Sequence, residues 1–140
     1  MRYPLAHNAI FWTIQGEGHL RGHQMCFVRL AGCSVGCPMC DTDYRKAEIA
    51  TAEEIAARAD EVTPKNAHDR WVWITGGEPT DHNLLSLVAA LRAKNFSIAL
   101  ATSGIRPVAV EVDWLSVSPH DPARWLQLSG SEVKLVPNLN

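Results

Sequence analysis

The chain has 140 residues, a net charge of −2 and 46% apolar residues against 20% charged ones. That is enough for one domain, residues 1–140, with one hydrophobic core, and its charge gives no basis for a nucleic-acid surface. No apolar run is long enough to span a membrane, and the stretch "MRYPLAHNAIFW" lacks the apolar core of a signal peptide, so a cytoplasmic protein is expected.

In chain order, the first clear element is a β-rich strand over residues 24–32, "QMCFVRLAG". A cysteine loop follows it, "CSVGCPMCDT" at 33–42, whose Gly and Pro exclude regular structure. Residues 51–62 read as a helix, with Thr51 as N-cap and Glu54 completing a capping box. A strand over 70–75 ends at Gly76-Gly77. Residues 81–95 form an amphipathic helix with Asp81 as N-cap and Leu84, Leu87, Val88 and Leu91 on the buried face. Strands over 96–104, 113–119 and 132–137 complete the pattern. Val-, Ile- and Leu-rich strands alternating with helices predict a parallel α/β sheet with covered faces. In such sheets ligands bind beyond the carboxyl ends of the strands. The cysteine loop, "TGGEPT", "TSG" and "SPH" each end a predicted strand, so four loops converge on one site.

Clustered cysteines in a reducing compartment point to a metal or redox group. The spacing of Cys33, Cys37 and Cys40 is C-x3-C-x2-C, one thiolate short of a closed zinc site or a fully ligated cluster. A fourth ligand can come from Cys26 or a histidine, although Cys26 lies inside a strand and reads as a buried structural thiol. Three ligands to a [4Fe–4S] cluster leave one iron open for a small molecule.

This loop after the first strand, with "TGGEPT" one helix and one strand later, resembles the radical SAM enzymes. The resemblance implies a partial, open (β/α) barrel of about five parallel strands with few helices. It also implies an S-adenosylmethionine (SAM) bound to the open iron and cleaved to a 5′-deoxyadenosyl radical. "QGEG" at 15–18, "VRLAGC" at 28–33 and "CDT" at 40–42 narrow the likeness to the 7-carboxy-7-deazaguanine synthases. Those are carbon–nitrogen lyases of queuosine and deazapurine biosynthesis. They convert 6-carboxy-5,6,7,8-tetrahydropterin to 7-carboxy-7-deazaguanine with loss of ammonia, aided by Mg²⁺.

Carried onto this chain, the resemblance implies Cys33, Cys37 and Cys40 as cluster ligands, with Met39, Cys40 and Asp41 beside SAM. Thr42 is implied as a ligand of Mg²⁺, a cation that takes hard oxygen donors and few of them from protein. Ile14, Gln15 and Gly16 are implied as the pterin pocket, and Glu17 as an acceptor for the substrate's amino group. Arg29 is implied for the substrate carboxylate, which a guanidinium binds through two parallel bonds. Thr75 is implied as a substrate contact, and Gly77, Glu78, Ser103, Ser118, Pro119 and His120 as cofactor contacts. Glu78 is expected to bond the methionyl amine. A homodimer and a reductant protein such as flavodoxin are the implied partners.

This sequence departs from the family pattern at three places. Ala101-Thr102-Ser103-Gly104 stands where relatives often have Glu-Thr-Asn-Gly, His120 replaces a lysine, and the sequence stops soon after the fifth predicted strand. The residues that close the substrate pocket are therefore not evident from the sequence. Two other readings remain: a small radical SAM activase that installs a glycyl radical in a partner, and a non-catalytic iron–sulfur or zinc module.

Overall fold

A computed structural model describes residues 1–32, 46–120 and 122–135. The parallel strands are β2 (Gln24–Leu30), β4 (Trp71–Gly76), β5 (Ser97–Thr102), β6 (Trp114–Val117) and β7 (Glu132–Val133). They lie side by side in chain order, and the sheet does not close. The expected open, five-stranded parallel arrangement is thus observed; β2, β5 and β6 are shorter than predicted, and β4 keeps its six residues one position later.

Two further strands extend the sheet on its first side. β1 (Arg2–Ile14) runs antiparallel to β2, and β3 (Glu48–Thr51) runs antiparallel to β1. Neither was evident from the sequence. In β1 the residue alternation is broken by Pro4, by a register shift between Leu5 and Ile10, and by Asn8 at φ 49°. Its first part pairs with β3 and its second part with β2, so no single period runs through it.

Two helices cover one face, called here the outer face. α1 (Ala52–Val62) has the predicted capping box: Glu54 N–H donates to Thr51 Oγ1 at 3.1 Å, and Thr51 N–H donates to Glu54 Oε2 at 2.8 Å. α2 (Leu85–Ala93) is shorter than predicted. Asp81 does not cap it; that residue lies in a 3₁₀ turn, Pro79–Asp81, and pairs with Arg106. Pro79 favours the tight turn, and the Leu85 amide bonds Asn83 Oδ1 instead, at 3.1 Å. Leu84, Leu87, Val88 and Leu91 are buried as expected. With Ile55, Ala56 and Ala59 of α1 they pack on Cys26, Val28, Leu30, Val72, Ile74, Ile98 and Leu100 of the sheet. Each fully buried aliphatic side chain there contributes roughly 1.5–3 kcal/mol.

Among the described residues, no α-helix covers the opposite, inner face. That face carries a smaller cluster of Leu20, Met25, Trp73 and Ala99, flanked by Phe27, Trp71, Ala101 and Trp114. Leu20 belongs to the β1–β2 connection, so that hairpin loop folds back across the inner face.

Candidate active site

Strand alternation decides which side chains face the open interior. Cys26, Val28 and Leu30 of β2 point outward into the helix-covered core, so Met25, Phe27 and Arg29 point inward. The registers Arg29↔Thr75, Ala101↔Ser116 and Ser116↔Glu132 then set one row of inward residues across the sheet. That row holds Arg29, Thr75, Ala101, Ser116 and Glu132. Arg29 and Thr75, both expected at the substrate, are direct neighbours in it. Arg29 Nε is buried and has no hydrogen-bond partner among the described residues. Proteins ordinarily satisfy such a buried donor.

Above this row, at the carboxyl ends, the glycine-rich loop is tied to the start of the cysteine loop. Gly77 N–H donates to Leu30 O and Glu78 N–H donates to Gly32 O, each at 3.0 Å. Gly76 takes φ 122°, and a Cβ there would sit 2.0 Å from Leu30 O, so only glycine permits this approach. The second loop pair is held in the same way, Ser118 N–H donating to Thr102 O at 2.8 Å.

Glu78 joins these loops. It is 1% exposed, and its carboxylate accepts from five donors. Oε1 takes the Ser103 amide at 2.7 Å and the Ser103 hydroxyl at 2.6 Å. Oε2 takes the Thr80 amide at 3.0 Å and the hydroxyls of Thr80 and Thr102 at 2.6 and 2.7 Å. Through these bonds Glu78 fixes the loops after β4 and β5 relative to each other. It holds Thr102 and Ser103, the second of which is one of the departures from the family pattern.

Ser103 is buried, Ser118 and Pro119 are half-buried, and His120 is exposed with Nδ1 against Ser118 O. Cys33, Cys37, Met39, Cys40, Asp41 and Thr42 lie outside the described residues. Cys26 does not join them. It is fully buried on the outer face, and burial pushes its thiol up to about 12 against the smaller lowering effect of Arg70. It stays a protonated core residue.

At the amino ends, the hairpin loop holds the expected pterin residues, with mixed outcomes. Gln15 is 5% exposed, and its Oε1 accepts from Glu17 N–H at 3.1 Å. Its Nε2 reaches only Met25 Sδ at 4.0 Å, a weak acceptor. Gly16 has open space around it. Ile14 is 59% exposed, and Glu17 is exposed and pairs with Lys134 Nζ at 3.1 Å. The structure therefore does not bring all four residues onto one surface.

Comparison with known proteins agrees with this geometry. Residues 27–124 match the model of the Radical SAM superfamily. The chain is 38% identical over 144 residues to the 7-carboxy-7-deazaguanine synthase of Caulobacter vibrioides, covering 91% of this chain and 69% of that one. It is 36% identical to the enzyme of the same name from Escherichia coli strain K12, covering 85% of this chain and 61% of that one. The crystal structure of QueE from Escherichia coli superposes with a TM-score of 0.74 at 34% identity, covering 87% of this chain and 61% of that chain. This chain belongs to the radical SAM superfamily, among the 7-carboxy-7-deazaguanine synthases. It spans between three fifths and seven tenths of the length of these relatives. No helix among the described residues is long and apolar enough to cross a membrane.

Family membership accounts for the rim but not for two inward residues that the sequence reading passed over. Ser116 is fully buried, and its hydroxyl makes no hydrogen bond of ordinary geometry. Glu132 lies next to it in register. Its carboxyl is held below the ordinary range: burial opposes this, but bonds from the His19 amide and Trp114, the Ser116 dipole and the Lys134 charge outweigh it. Alternation across "EVKLVP" does put Glu132 and Lys134 on one face, but the sequence cannot say that this face is the inner one.

Proposed function

We propose that the chain carries out the ring contraction for which its relatives are named, making 7-carboxy-7-deazaguanine from 6-carboxy-5,6,7,8-tetrahydropterin. The observation that carries the substrate class is the unpartnered Arg29 Nε beside Thr75 on the inner row. A guanidinium with a free, buried donor selects a carboxylate, and a neighbouring threonine hydroxyl can add a third bond. The aromatic floor of Phe27, Trp73 and Trp114 suits a flat heterocycle attached to that carboxylate.

The donor set fits an iron–sulfur cluster and SAM. The three thiols follow Gly32, and the Gly76–Gly77 backbone is bonded against that exit point. Cys33, Cys37 and Cys40 would hold the cluster, and the backbone at Gly77 with Ser103, Ser118, Pro119 and His120 would hold SAM beside Met39 and Asp41. Bound there, the pair supplies a radical able to take hydrogen from the substrate. The chain's own part is to hold and orient. Arg29 and Thr75 anchor the carboxylate, and the carbon bearing it is thereby fixed below the rim. Gln15 offers the under-used Nε2 amide to the pterin edge. Thr42 would add an oxygen to Mg²⁺, with substrate and water completing its shell. A homodimer and a flavodoxin-like reductant complete the working enzyme.

Arg29 and the pterin edge favour this reading over a glycyl-radical activase, which needs room for a peptide rather than a charge for a small acid. The deciding experiment is anaerobic reconstitution, followed by turnover of the carboxytetrahydropterin read by mass spectrometry. Formation of the deazaguanine supports the proposal. SAM cleavage on an intact cluster without that product sinks the substrate assignment, and one zinc per chain with no cleavage sinks the enzyme assignment.

A further inference from the structure

We infer that Glu132 is a positioning residue for the substrate pocket: with Lys134 it clasps residues 17–19 across the inner face and so fixes Gln15 and Gly16. The inference rests on the pterin reading above for its consequence, but the clasp itself stands on separate contacts.

Those contacts join two ends of the chain that alternation alone would leave apart. Glu132 Oε1 accepts the His19 amide at 2.9 Å, and Oε2 accepts Trp114 Nε1–H at 3.2 Å. The His19 ring stacks on Trp114, centroids 5.0 Å apart. Lys134 Nζ bonds Glu17 Oε2 at 3.1 Å and lies 5.5 Å from the Trp73 ring centroid. Gly18, between the two clasped residues, has φ 72°, and its Cα faces the Glu132 carboxylate so closely that an added Cβ would lie 2.6 Å from both oxygens. Leu20, one residue beyond, fills the inner cluster against Met25, Trp73 and Ala99.

The bonds to the His19 amide and Glu17 and the stacking of His19 on Trp114 all act on one short loop. That loop begins at Gln15, whose amide carbonyl bonds Glu17 N–H and whose backbone is paired with His23 and Gly22. The motif "QGEG" thus has a double reading. Gln15 and Gly16 face the substrate side, while Glu17 and Gly18 are the halves of a latch that closes on β7. Glu17 pairs with Lys134 at the exposed edge of this latch. The floor of the pocket is then this chain's own hairpin loop, held down from the last strand. A carboxylate is suited to the task because it takes the amide and the indole N–H on separate oxygens in a half-buried setting, where bonds to an ionised acceptor are the stronger kind.

The test compares the reconstituted wild-type enzyme with Glu132→Ala, Glu132→Gln and Lys134→Gln. Hydrogen exchange of residues 15–22 and the Kd for the carboxytetrahydropterin are measured on each, alongside iron content and SAM affinity. Glu132→Ala should speed exchange in residues 15–22, His19 first, and weaken pterin binding by about tenfold, the scale of one lost bond to a charged group. Iron content, SAM affinity and exchange in β4 and β5 should not change, which separates a positioning role from general unfolding. Glu132→Gln keeps one oxygen acceptor and should fall between, and it carries the test if the alanine variant does not fold. Lys134→Gln should have a smaller effect of the same kind. Unchanged loop exchange in the glutamate variants overturns the clasp. A loosened loop with pterin affinity within twofold of wild type overturns its link to the substrate. A wild-type enzyme that does not bind the pterin at all overturns the substrate reading instead, while the exchange data still decide the clasp.

Discussion

The two faces of this sheet use the same strands for opposite purposes. On the outer face Cys26, Val28, Leu30, Val72, Ile74, Ile98 and Leu100 alternate into a dry layer under α1 and α2. On the inner face the residues between them are Phe27, Arg29, Trp73, Thr75, Ala99 and Ala101. The buried layer described on the outer face is apolar, and its members are replaceable by apolar residues of similar volume. The inner face mixes aromatic surface with a buried donor that has no partner among the described residues, a hydroxyl beside it and a carboxylate at its far end. Stability therefore resides mainly in one face and specificity in the other, and single substitutions should separate the two.

The largest effect is expected where the faces meet, at Glu78. Replacing it with Ala leaves five donors around a buried gap, and the loss should be about 4 kcal/mol or more, since each unmet buried group costs about 1–3 kcal/mol. Glu78→Ala should lower both denaturant stability and SAM affinity; full stability in the variant would show that the node carries little. Leu100→Ala, on the outer face, should lower stability by roughly 3 kcal/mol and leave pterin affinity in the surviving folded protein unchanged. Arg29→Ala should do the reverse. It should weaken pterin binding by about tenfold or more, the loss of a charge-assisted pair, without lowering the melting temperature. A melting temperature that falls with Arg29 would place the guanidinium in the fold rather than the site.

The same division explains what could be read before any coordinates. The outer face is legible because its signals are local and periodic: Leu84, Leu87, Val88 and Leu91 repeat at helical spacing, and Thr51 with Glu54 names a helix start. The rim loops are legible because glycine, proline and cysteine at fixed offsets have few uses. Three things were not legible. β1 changes partner halfway and carries a left-handed Asn8, so its pattern has no one period. The start of α2 is set by the turn at Pro79 and by Arg106 taking Asp81, a pairing across 25 positions. Glu132 looks like any acidic residue in sequence, and the motif that marks Glu78 does not show its partners; these lie far off, Thr102 and Ser103 for Glu78 and His19 and Trp114 for Glu132.

The smallest effect expected is in the response to acid, and it should appear on the inner face alone. Glu132 is surrounded by the His19 amide, Trp114, Ser116 and the Lys134 ammonium, with the Glu17 carboxylate on the far side of that ammonium. Its folded pKa is lowered, so in the unfolded chain it binds a proton more readily than in the native one. Its contribution is therefore complete above the ordinary glutamate range, near about 4.3, and is lost as the pH falls through the lower folded value. Protonation removes the charge that attracts Lys134 and weakens the acceptor for the His19 amide. The hairpin loop should loosen there while the outer core, which holds no titrating carboxylate, keeps its protection. Hydrogen exchange followed downward from pH 6 should show residues 15–22 opening before β4 and β5. Glu132→Gln should abolish that order, because it lacks the proton-binding group; an unchanged order in the variant would assign the acid response to a different carboxylate.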